Sequence, residues 1–315
     1  MTKYIIRRLI HSLIIVWGCA TLVFFLIRAI PGDPVIQMLG TEYTPEAADA
    51  LRDKLGLDEP VYIQYVQWLG NMLRGDFGTS ITGAESVGSA IMSGLPKTMS
   101  ISILSFLIAV AIAVPAGVLA ALKRNSFLDF VVSLIAFLGV SMPSFWFGII
   151  LIIVFAVNLG WLPSLGYASL TEDGFVEWIR HLILPSLAIG AGYAAILMRF
   201  VRAGLLEALS SDYIRTARSK GIAERHVVVR HGLRNSMIPV VTVAGIQVAL
   251  LLSGAVVIET VFSIRGIGRL LVGAIFDKDY PMVQGTILVV TVIFVMANLI
   301  VDILYTQLDP RIKYG

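Results

Sequence analysis

Six stretches of this chain are long, apolar and nearly free of charge, at residues 9–30, 99–122, 130–159, 182–201, 237–261 and 282–305. A helix needs roughly 20 apolar residues to cross the hydrocarbon core of a bilayer, and each stretch reaches that length. Lipid offers no partner for backbone N–H and C=O groups, so spans that are not part of a closed barrel are helices. The chain is therefore expected to be an all-α polytopic membrane protein with about six crossings. Charge scarcity agrees: 14% of residues are charged, against about 25% in a typical soluble domain. The first stretch follows Lys3, Arg7 and Arg8, as in a secretory signal. Its apolar run of about 22 residues exceeds the roughly 7–15 of a signal core, and no small-residue cleavage site follows. It reads as a retained anchor.

Lys and Arg in the short flanks set orientation. With six crossings, one side collects Lys3, Arg7, Arg8, Lys123, Arg124, Arg311, Lys313 and the cluster Arg199, Arg202, Arg215, Arg218, Lys220, Arg225, Arg230 and Arg234. The short loops opposite hold Arg180, Arg265, Arg269 and Lys278. The richer side is the cytoplasm, which places both termini inside. The chain then divides into a first span with its inner N-terminus (1–30), an outer loop (31–98), a permease-like core (99–308) with an inner basic loop at about 203–236, and a tail (309–315).

The outer loop carries four Lys/Arg against nine Asp/Glu. Thr44-Pro45-Glu46 predicts a capped helix start, with Gly56 as its stop. Tyr62, Val66, Leu69 and Leu73 recur at helical spacing and predict an apolar face laid on something. An ordinary surface subdomain and a binding element both fit.

The span interiors lack ionisable residues. Arg28, Arg199, Glu259 and Asp302 lie near span ends, where side chains reach the interface. This counts against a proton-coupled transporter or a voltage-gated channel. There is no Gly-x-Ser-x-Gly, no His-Glu-x-x-His and no phosphate-binding glycine loop. No Cys/His cluster has zinc spacing, and the single cysteine, Cys19, lies in an apolar run. An intramembrane hydrolase therefore has no visible nucleophile–base pair, and no cofactor or metal is expected on this chain. Pro115, Gly117, Gly139, Pro143, Gly148, Gly190, Gly192, Gly245 and Gly254 fall within the spans. They suit close helix packing and equally suit hinges beside a translocation path. Leu270–Phe276 is apolar but too short to cross.

The most specific segment runs from Asp212 to Pro239. Ser211 or Asp212 is placed to cap a helix from about Tyr213 to Lys220, and Gly221 to end it in the left-handed conformation. Arg218 and Lys220 complement the dipole of the last turn, and Glu224 opens a second helix with the opposite sign. Thr216-Ala217 offers a small-residue surface between cationic flanks, suited to a groove on a partner protein. Contact with anionic lipid headgroups is the competing reading.

This segment resembles the signature loop of ABC-importer permeases, a Glu-Ala-Ala triplet, a following glycine and a later Ile-x-Leu-Pro. Ala217, Gly221 and Leu233 match the general form. The departures match the dipeptide/oligopeptide/nickel branch, with its Asp-Tyr-Ile-Arg-Thr-Ala-Arg-x-Lys-Gly run, here Asp212 to Gly221. Around it lie Pro31-Gly-Asp-Pro34, Gly75-Asp-Phe-Gly78, Leu95-Pro96-x-Thr98, Pro143-Ser-Phe-Trp146, Trp161-Leu-Pro163, Leu184-Pro185-Ser186, Arg199-x-x-Arg202, Glu259-Thr-Val-Phe262, Gly266-Ile-Gly-Arg269, Asp279-Tyr-Pro281 and Asp309-Pro-Arg311. Arg265 departs from the proline expected before Gly266. The long outer loop is similar to that of the B-type subunit of the permease pair.

The resemblance implies a type I ABC-importer permease fold and a subunit in the bacterial inner membrane that imports di- or oligopeptides, with nickel or glutathione as alternatives. It implies four partners besides the bilayer: a second homologous permease, two ATP-binding subunits that carry the ATP, and an extracytoplasmic solute-binding protein. Nucleic acid is not among them. Asp212, Arg215, Thr216, Ala217, Lys220, Gly221, Glu224 and Leu233 would form the ATPase-docking loop. Glu259, Arg265 and Gly266 would form an outer gate. A secondary transporter, a channel and a membrane scaffold are the other classes considered.

Overall fold

The computed structural model describes residues 2–29, 34–39, 43–56, 58–82 and 85–308. Pro31-Gly-Asp of the first motif and the whole 309–315 tail, with Arg311 and Lys313, lie outside the described residues. The described residues form helices α1 (Thr2–Ala29), α2 (Pro34–Leu39), α3 (Pro45–Leu55), α4 (Val61–Leu73), α5 (Val87–Leu122), α6 (Phe127–Ser141), α7 (Ser144–Leu151), α8 (Gly174–Ser210), α9 (Asp212–Ser219), α10 (Glu224–His226), α11 (Arg234–Val261), α12 (Ile267–Phe276) and α13 (Tyr280–Leu308). Two wide π turns, Ile152–Asn158 and Val227–Leu233, extend α7 and α10.

Among the described residues, four helices are long and apolar enough to cross a membrane: Ile6–Ala29 within α1, α5, α8, and Tyr280–Ile303 within α13. The expected fifth stretch, 237–261, lies inside the continuous 28-residue α11. The third stretch, 130–159, is not one continuous helix: α6 and α7 with its π turn are bent by 108°. Proline is the cause. Its ring disfavours the helical region for the preceding residue and it has no N–H to donate. Met142 is extended, with φ −86° and ψ 128°, directly before Pro143.

Helix α8 is central and packs on α5, α6, α7 and α11. Its contact with α5 is the most extensive in the molecule, and small residues make it close. A Cβ on Gly117 would sit 2.8 Å from the Met198 carbonyl, and one on Gly190 would sit 2.9 Å from the Ser105 carbonyl. Ala109, Ala113, Ala194 and Ala195 fill the same seam. Both helices outrun the apolar stretches that located them. At 1.5 Å per residue, α8 is about 55 Å long, well beyond the roughly 30 Å hydrocarbon core, and its C-terminal end leads into α9.

Between α1 and α5, helix α3 follows its local signals. Thr44 accepts a hydrogen bond from Ala47 N (3.2 Å), Pro45 opens α3, and Gly56 closes it at φ +63°. Helix α4 forms, but with a different buried face from the one expected. Tyr65, Trp68 and Met72 face inward, with Tyr65 and Trp68 packing on Phe24 of α1. Tyr62, Val66 and Leu73 stay exposed. The stripe of wide aromatics won the packing site.

Candidate functional site

The basic segment hangs from the end of α8. Ser211 breaks the helix in extended backbone (φ −76°, ψ 155°), α9 follows, and Gly221 turns the chain at φ +74°. A left-handed φ costs an L-residue about 1–2 kcal/mol and glycine nothing, so the glycine stop read from the sequence has its physical basis here. The cap differs from expectation: the Ser211 hydroxyl donates to the Ala208 carbonyl (2.5 Å) instead of accepting from α9.

The orientation of α9 divides the predicted residues. Ile214 and Ala217 are buried and pack with Val227 and Leu209. Ala217 therefore seats α9 on its own chain and does not form the small outward surface expected of it. Asp212, Tyr213, Arg215, Thr216 and Lys220 face outward. Arg218 donates two hydrogen bonds to Glu224, at 2.6 and 3.1 Å, closing the bend around Gly221. That contact raises the Arg218 pKa and lowers that of Glu224. Arg215 lies 4.0 Å from Asp212, both almost fully exposed. Leu233 is half-buried in the π turn, away from the outward face. The result is a short, firmly seated helix presenting cations and one aromatic ring.

The other end of the bundle gathers a second constellation. Glu259, expected near the interface, is wholly buried. It accepts hydrogen bonds from Thr98 Oγ1 (2.5 Å) and Arg269 N (2.9 Å), while Thr98 Oγ1 accepts from Ile267 N (2.8 Å). One carboxylate thus caps the start of α12 and ties it to α5 and α11. Gly266 is required there, because a Cβ would overlap the Glu259 carboxylate and the Thr98 hydroxyl. Arg265 does not join the contact. It lines a neighbouring cavity of about 420 Å³ with Lys97, Arg269, Glu85 and Asp277. Asp279, at the cavity wall, accepts from Ser80 Oγ, Ile81 N (3.1 Å) and Met282 N (3.2 Å). Four motifs that stand apart along the sequence, those containing Thr98, Glu259, Gly266 and Asp279, meet in this corner.

One buried ion pair leaves no signal in the sequence. Buried Asp129 of α6 accepts from Arg202 of α8 at 2.7 and 2.8 Å, and from Asn125 N at 3.0 Å. Arg202 was visible only as part of Arg199-x-x-Arg202, and Asp129 sat unnoticed one residue before an expected span. No group of three or more metal-ligating side chains occurs among the described residues.

The family description "Binding-protein-dependent transport system inner membrane component" matches residues 113–314, and the corresponding N-terminal family matches 1–102. The chain belongs to this family. It is a multi-pass inner-membrane permease of the ABC-importer type. Among its relatives, the oligopeptide transport system permease protein AppB of Bacillus subtilis (strain 168) is 42% identical, with all of both chains covered. The glutathione transport system permease protein GsiC of Escherichia coli (strain K12) is also 42% identical over all of both chains. The permease shares its fold with a chain of the MetNI methionine ABC transporter in an inward-facing conformation (TM-score 0.57, 21% identity, 70% of this chain and 96% of that one).

Proposed function

We propose that this permease forms half of a translocation path for di- or oligopeptides and takes its energy from an ATPase seated against α9. The observation that carries the reading is the geometry of that helix. It is fixed to the end of α8 by Ile214 and Ala217 and turns Arg215, Thr216 and Lys220 outward. A helix anchored on one face and free on the other transmits a push from its partner to the long helix it continues. In population terms, ATP favours one of two packed states through this contact. Asp212, Tyr213 and Gly221 complete the docking surface, while Glu224 and Leu233 support the bend behind it.

The reading makes residues 203–236 cytoplasmic and puts both termini on that side. The partners are a second, homologous permease, two ATP-binding subunits and an extracytoplasmic solute-binding protein. ATP binds those partners, and this chain performs no chemical step. At the outer end, Glu259 and Gly266 latch α12 to α5 in the closed state, and Arg265 borders the opening beside it.

Peptide is favoured as cargo because relatives covering the full length carry peptide or oligopeptide transport in their names. Glutathione is the second reading, on a relative of equal identity. The test is uptake of labelled dipeptide, pentapeptide and glutathione by cells carrying this chain with its neighbouring transport genes. Saturable peptide uptake that Gly221→Asp abolishes at normal expression supports both proposals. Undiminished uptake by Gly221→Asp would sink the docking reading, and glutathione uptake alone would replace the cargo.

A further inference from the structure

Helix α4 has an uncovered apolar face beside a membrane span. No Asp, Glu, Lys, Arg or His occurs from Val61 to Leu73. At 100° per residue its side chains form three stripes. Tyr65, Trp68 and Met72 point inward. Tyr62, Val66, Leu69 and Leu73 lie about 100° around the axis. Gln64, Gln67 and Asn71 make a narrow polar strip on the remaining side. Tyr62, Val66 and Leu73 are 71%, 66% and 82% exposed. That is a large apolar area to leave in water.

Its depth is fixed by contacts with α1. The Tyr65 hydroxyl and Thr21 Oγ1 share a hydrogen bond of 2.7 Å. The Tyr65 ring stacks on Phe25, and Arg28 donates to Gln64 (2.8 Å). Thr21 lies eight residues before the end of the apolar span Ile6–Ala29, or about 12 Å along the helix. Helix α4 therefore lies alongside the last third of the span, not beyond it. Phe25, which touches Tyr65, is itself 50% exposed, as are its neighbours Leu22 (57%) and Leu26 (56%). The exposed apolar residues of α1 and α4 thus flank the contact between Phe25 and Tyr65.

We infer that α4 is an interfacial membrane helix. It lies in the leaflet that meets the C-terminal end of α1, with Tyr62, Val66 and Leu73 among acyl chains and Gln64, Gln67 and Asn71 turned to water. Helices of this kind bury an apolar face at the headgroup–acyl boundary. With no cation on the helix, binding rests on apolar burial and is independent of anionic lipid.

The test uses the complete transporter in phosphatidylcholine nanodiscs, with Cys19→Ser as background. Single cysteines at Val66→Cys, Tyr62→Cys and Gln67→Cys carry an environment-sensitive fluorophore. Quenching by a nitroxide on a shallow acyl carbon is compared with quenching by iodide. The expected result is several-fold stronger lipid quenching at positions 66 and 62, the reverse at 67, and no change when anionic lipid is added. Iodide quenching at 66 equal to that at 67 would place the face in water. Shielding of 66 from both quenchers in the complex, but not in the isolated chain, would assign the face to a protein partner. Either result overturns the inference.

Discussion

The two ends of the bundle use charge in opposite ways. At the α9 end, Arg215, Lys220, Arg225, Arg230 and Arg234 stand exposed. At the α12 end, Glu259 and Asp279 are almost wholly buried and spend their oxygens on backbone N–H groups and hydroxyls of three other elements. An exposed ion pair contributes little to stability, so α9 is held by Ile214 and Ala217, while Arg215 and Lys220 stay turned outward. A buried carboxylate is tolerable only when fully hydrogen-bonded, so the other corner stays assembled only while every bond is in place. The contrast separates an exposed cationic surface, proposed above for docking, from a buried joint that ties three helices.

Breaking the joint should have the largest effect. Glu259→Ala leaves Arg269 N without its acceptor and opens a cavity; we expect about 3 kcal/mol of destabilisation, read as a lowered melting temperature of the purified complex together with lost uptake. Gly266→Val, which overlaps the same carboxylate, should match it. Unchanged melting in both variants would mean that the corner does not hold the fold.

The Asp129–Arg202 pair comes next. Asp129→Ala strands a mostly buried guanidinium and should cost about 2–3 kcal/mol, at the lower end for buried pairs because Arg202 is 31% exposed. Asp129→Ala with Arg202→Met should recover much of that loss, since removing both charges removes the uncompensated one. A double variant less stable than the single would contradict this account.

Gly221→Asp tests the recognition surface. A Cβ at Gly221 meets no atom within 4 Å, and Asp tolerates left-handed backbone better than most residues. The strain should stay within about 1 kcal/mol, with melting nearly unchanged and uptake lost. Gly221→Ala, strained but uncharged, should keep substantial uptake; loss in both variants would point to helix termination instead of the surface.

The smallest effect belongs to Glu224→Gln, which should leave melting unchanged at neutral pH. The folded-state pKa of Glu224 is depressed by Arg218, so any stability from this pair is present above the ordinary Glu range. It is lost as pH falls through the depressed value. A melting difference between wild type and variant that grew as pH rose above 7 would refute this sign.

Much of the molecule was legible because its causes are local. The Thr44 cap, Pro45 at the helix start, and Gly56 and Gly221 as stops each depend on a few adjacent residues, and all appear where the residue chemistry demands them. The long apolar helices were equally legible, since a hydrocarbon solvent permits few alternatives. The bend at Met142–Pro143 was half-legible: the proline was noted, but a proline also sits inside the unbroken α8 and α11. The face of α4 could not be read, because two apolar stripes competed and the choice rests on contacts with Thr21, Phe24 and Phe25 of α1.

The sequence alone determined the class of molecule, the position of its apolar segments, the glycine-ended basic helix and the family. Those properties depend on solvent preference, backbone conformation and motif order, all of which are carried by neighbouring residues. Tertiary structure decided that Thr98 meets Glu259 across 161 positions and Asp129 meets Arg202 across 73. It also decided that Ala217 turns inward while Arg215 turns out. No periodicity reports such pairings, because the free energy of a buried hydrogen bond or packed ring depends on what the rest of the chain brings to it.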